Sequence, residues 1–73
     1  MDEIELKDLL LKESPEFRKL HGEHQACEKR LEILAGKGFL TDEERLEERE
    51  IKKRKLALKD RMYVLMTQFR GGR

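Results

Sequence analysis

His21, His24 and Cys27 are the residues of this chain that could hold a metal ion together, since it has two histidines and one cysteine. They stand at i, i+3 and i+6, and ligands on one helix use steps of three or four. A closed zinc site takes four ligands, and the chain offers no further His or Cys. His24 and Cys27 also fall in a regular apolar row, while His21 lies off it. The expected reading is a packed row, with no metal and no cofactor.

The other chemistries fail on similar grounds. A catalytic cysteine needs a thiolate activated by a base in an accessible electropositive site. Cys27 is expected to pack as a small hydrophobe. The many carboxylates spread along charged helical faces, whereas an acid/base pair needs a concave pocket that separates two pKa values. Gly36-Lys37-Gly38 is too short to cradle phosphates and lacks the following Lys-Ser/Thr. Lys52, Lys53, Arg54, Lys55, Lys59 and Arg61 could touch phosphates non-specifically. They go around a helix rather than along one stripe, without interleaved aromatics, beside an acidic segment. No enzyme is expected.

The elements that carry these residues read as helices. Residues 2–13 form a short helix with acidic residues in its first turn, where the helix dipole favours them. Ser14-Pro15 breaks it and starts the next, with Ser14 as cap and Pro15 in the first turn. Over residues 15–35 the apolar steps run 3-4-3-4-3 through Phe17, Leu20, His24, Cys27, Leu31 and Leu34. This is a coiled-coil seam, and His24 is its polar member, with Glu28 or the facing helix as partner.

Gly36 or Gly38, in a left-handed conformation, is expected to stop that helix. Thr41-Asp42-Glu43-Glu44 is a capping box. The connection is short, so the flanking helices should lie antiparallel. Residues 42–69 form the last helix, with Ile51, Leu58, Met62, Leu65 and Phe69 as its seam and Lys55 interrupting one position. Residues 70–73 are expected to be a flexible tail. The last helix outreaches its neighbour. Leu56, Tyr63 and Met66 widen its apolar surface near the far end; residues 2–13 are the expected cover for them, and a second copy of the chain is the alternative.

Composition supports this reading. Charged residues are 45% of the 73, yet the formal net charge is +1, so no global field draws in nucleic acid or a membrane. Residues 42–50 hold six acids and two bases, residues 51–61 six bases and one acid. The single cysteine excludes an internal disulfide and fits a reducing compartment. The first dozen residues mix charges with apolar positions, so no leader is expected, and no apolar run approaches a membrane span. A cytoplasmic protein is expected.

Ser14-Pro15-Glu16-Phe17, Leu20, His24, Leu31 and the run KKRKLALKDRM over residues 52–62 resemble the YdcH-like family of small bacterial proteins. The most specific part is the basic stretch followed by Leu-x-Leu-Lys-Asp. The sequence departs at Cys27, where a larger aliphatic residue is usual. The resemblance implies a helical hairpin or coiled coil and supplies no activity or cofactor.

The reading is a single all-α domain: an antiparallel, coiled-coil-like helical hairpin with a short N-terminal helix. It is expected to be a protein–protein interaction or oligomerisation module, partnered by itself, by another protein, or both. Leu56, Tyr63, Met66 and Phe69 are the expected interface, with Leu9 and Leu10 added if the first helix is displaced. Antiparallel pairing of two last helices would set the acidic half of one against the basic half of the other. The alternative is a small nucleic-acid-associated protein using residues 52–61.

Overall fold

A computed structural model of the chain describes residues 2–71. Three helices follow one another: α1 (Glu3–Glu13), α2 (Pro15–Ala35) and α3 (Asp42–Gly71). Of the expected tail, residues 70 and 71 continue α3, and Gly72 and Arg73 lie outside the described residues.

Each helix end has an identifiable cause. Asp2 caps α1, its side chain accepting from the Glu5 N–H at 2.9 Å. Ser14 works in two directions. Its N–H donates to the Leu10 carbonyl at 2.8 Å, and its Oγ accepts from the Phe17 N–H at 3.1 Å. Arg18 then reaches back and donates to the carbonyls of Leu11 and Lys12 at 3.1 and 3.0 Å, where the last turn of α1 has no intrahelical donors. One extended residue and one arginine thus fold α1 back toward the hairpin.

The stop of α2 differs from the left-handed glycine that the sequence suggests. Gly36 keeps a right-handed conformation, φ −78° and ψ −8°. No described glycine has positive φ. The last turn tightens instead: the Gly36 N–H donates to the Glu32 and Ile33 carbonyls, and the Lys37 N–H to Leu34 at 3.2 Å. The capping box at α3 forms in both directions, Glu44 N–H to Thr41 Oγ1 at 3.1 Å and Thr41 N–H to Glu44 Oε1 at 3.0 Å.

Helices α2 and α3 pack as the antiparallel hairpin, with α1 laid across its open end, in a body 48 Å long and 16–19 Å across. Leu6 and Leu10 of α1, Phe17 of α2, and Met62 and Met66 of α3 form the main core. Leu11, Leu20, Leu65 and Phe69 pack against it. Toward the turn the core narrows to a two-helix seam in which Cys27, Leu34 and Leu58 are buried. His24, Leu31 and Ile51 are half-buried, so every position of the expected seam is at least partly covered. Fully burying one such apolar side chain stabilises by about 1.5–3 kcal/mol, so the three-helix end holds most of the packing energy.

Candidate interaction surface

Charges first fix how the hairpin is zipped. Glu16, Glu23 and Arg30 stand seven residues apart along one edge of α2. They meet Arg61 at 3.0 Å, Arg54 at 3.3 Å and Glu47 at 2.7 Å. Each step of seven down α2 is matched by a step of seven back up α3, which is an antiparallel register written in ion pairs. The Arg30–Glu47 contact is bidentate, its second bond 2.9 Å long. That contact raises the guanidinium pKa above its ordinary value and lowers the carboxyl pKa below its own. Nearer the turn, Lys37 pairs with Glu44. Its hydrogen bond, with the Thr41 N–H second, pulls the Glu44 pKa down to about 2. On the opposite edge Lys55, the interruption in the α3 seam, lies 3.5 Å from Glu28. Exposed pairs such as these add little stability individually. Their effect is on orientation, because a shifted or parallel arrangement would bring like charges together.

This pairing changes the meaning of the basic run. Arg54, Lys55 and Arg61 are turned to acids of α2. Lys52 lies 4.0 Å from Glu48, one helical turn before it. Lys52 and Lys59 fall on an outer row of α3 with Arg45 and Arg49, in which Leu56 and Tyr63 are interposed. The row runs 45, 49, 52, 56, 59, 63, in steps of four and three, so it follows one face. In the sequence residues 52–61 stand as one block of bases, and the row separates from it only once α2 has drawn its share of them.

The expected interface divides in the structure. Leu56 and Tyr63 are 61% and 65% exposed. Met66 and Leu10 are instead buried in the three-helix core, and Phe69 and Leu9 are half-buried. The reason is the return of α1, which covers the far end of α3 and leaves the middle bare. Ile4, Ile33 and Phe39 are exposed too, one each on α1, α2 and the connection, as are Leu46 and Val64 on α3. Isolated apolar side chains of that kind are ordinary on a small protein.

Beside Tyr63 the three helices leave an open cleft of about 250 Å³. Met62, Met66, Tyr63 and His24 line it, with Lys7 and Lys59 set against Glu3 and Glu28. His21 sits on its α2 side. The His24 Nδ1 is 3.4 Å from Glu28, and its Nε2 is buried with no hydrogen-bond partner among the described residues. Cys27 is buried in the seam. Among the described residues no three His, Cys, Asp or Glu side chains are arranged to hold a metal ion. No described helix is long and apolar enough to cross a membrane.

Residues 17–66 match the model of a family described as a protein of unknown function, DUF465. The chain belongs to that family. It is the YdcH-like family that the 14–17 and 52–62 segments resemble, and the match spans the whole hairpin core. Neither the curated proteins nor the solved structures gave a match. Membership in DUF465 assigns no chemistry.

Proposed function

We propose that the chain is a non-catalytic protein–protein interaction module, and that the middle of α3 is its contact face. The observation that carries this reading is the exposure of Leu56 and Tyr63. They lie two turns apart on one helical face, uncovered although α1 packs against the same helix just beyond them. An apolar pair rimmed by charge is the usual anatomy of a contact site. Tyrosine suits such a position, because its large ring is stiff and its hydroxyl tolerates water. The nucleic-acid alternative loses support, since three of the six bases it relied on are engaged by α2.

Tyr63→Glu tests this. The side chain is mostly exposed and lies outside the buried core cluster, so the circular-dichroism melt should move little. Sedimentation of the pure chain and affinity capture from the native cell should, between them, show one specific complex that the variant loses. Complexes unaffected by Tyr63→Glu, or none in either experiment, would refute the assignment.

A further inference from the structure

We infer that the occupant of this face is an acidic amphipathic helix of another protein, rather than a second copy of the chain. The inference rests on the reading of Leu56 and Tyr63 as a contact site and names the chemistry of what binds there. Its basis is the row in which they stand. Every charged position of that row is basic: Arg45, Arg49, Lys52 and Lys59. Arg45, Arg49 and Lys59 make no ion pair with a described residue, and Lys52 has the one long contact to Glu48. The acids that border the row are Asp42, one step before Arg45 at the start of α3, Glu48, half-buried, and Asp60 on its outer flank.

Self-pairing through this face lays the row against itself. In either direction it brings bases to bases, and like charges across an interface cost affinity. The acidic half of α3 relieves this little, because Glu44 and Glu47 are turned toward Lys37 and Arg30, and Glu43 and Glu50 fall off the row, on other faces of the helix. A partner helix with acidic flanks faces no such conflict. It would find positive charge on both sides of Leu56, an aromatic ring at one end, and beside that ring the cleft with the two methionines at its wall and charges of both signs at its rim. That cleft has room for one apolar anchor side chain, and methionines adapt to different shapes. The row from Arg45 to Tyr63 is about 27 Å long, which matches a partner helix of roughly 18 residues. An extended phosphate backbone fits less well, because Leu56 interrupts the charges where it would need to run.

The test uses three labelled helical peptides that share one row of leucine and phenylalanine anchors. Their flanking positions are glutamate, glutamine or lysine. The full chain should bind the glutamate peptide roughly tenfold or more tighter than the glutamine one, and the lysine one weakest. The preference should shrink as salt is raised. Arg49→Glu combined with Lys59→Glu should erase it, and Tyr63→Glu should abolish binding of all three. Equal binding of the glutamate and glutamine peptides would overturn the acidic partner while leaving the contact face intact. No peptide binding, together with a dimer broken by Tyr63→Glu, would make a second copy the occupant. No peptide binding by a monomer would sink both readings. Displacement of the glutamate peptide by short single-stranded DNA at equal concentration would replace the protein partner with nucleic acid.

Discussion

Phe17→Ala is the substitution that bears most directly on the packing. Phe17 is 0% exposed and sits where Leu6 and Leu10 of α1 meet Met62 and Met66 of α3. Truncating a buried phenylalanine to alanine costs about 3–5 kcal/mol, part transfer energy and part cavity. A domain of this length holds about 4–11 kcal/mol in total. The variant should therefore lose between about a quarter and all of its stability. In a domain of this size each kcal/mol moves the melting temperature by about 4–8 °C, so a fall of roughly 12–40 °C is expected. Urea unfolding followed by far-UV circular dichroism would measure the free-energy loss, and a thermal melt the shift. Hydrogen exchange adds a signature: the α1 amides of Leu6 and Leu10 should lose protection together with those of α3, because the ring joins all three helices. A loss below about 1 kcal/mol, or a loss confined to α1, would show that the three-helix core is not the source of stability.

Other outcomes follow from the ends and charges of the helices. Thr41→Ala removes the acceptor for the Glu44 N–H and should cost about 1 kcal/mol in urea unfolding. The Glu44 pKa is lowered to about 2, so its ionised form stabilises the fold. That contribution is complete above the ordinary carboxylate range and is lost as pH falls toward 2. The gap in urea midpoint between the wild type and Glu44→Gln should close over that window, and a constant gap would contradict the assignment. Gly22 lies inside α2, and a Cβ there meets nothing within 4 Å, so Gly22→Ala should stabilise by about 0.5–1 kcal/mol. Gly38→Ala should also be tolerated, since Gly38 has negative φ and open space around it. Marked destabilisation there would restore a left-handed stop.

The local features were legible in the sequence because they depend on neighbours a few residues away. Ser14-Pro15 announced the break between α1 and α2, and T-x-x-E announced the start of α3. The 3-4 spacing from Phe17 to Leu34 gave the buried stripe of α2. What depends on distant partners was hidden. Residues 2–13 contain five apolar positions, but nothing in their spacing says that Leu6 and Leu10 meet Met62 and Met66. Met66 was accordingly expected at an interface, and Leu10 there only if α1 is displaced; with α1 docked both are core. Glycine composition suggested a left-handed stop, whereas a tightened last turn achieves the same end. The row through Arg45, Arg49, Lys52 and Lys59 becomes visible only after α2 has drawn Arg54, Lys55 and Arg61 to its own acids.

The account turns on the chain closing upon itself in one charge-matched register, which leaves the Leu56–Tyr63 face outside. Zero-length carbodiimide coupling with mass spectrometry measures this directly, since it joins a lysine to a carboxylate only at ion-pair distance. A Glu28–Lys55 link within single chains is expected, the two groups being 3.5 Å apart. The same link found only between two chains would replace the closed hairpin with an extended, exchanged dimer and contradict the account.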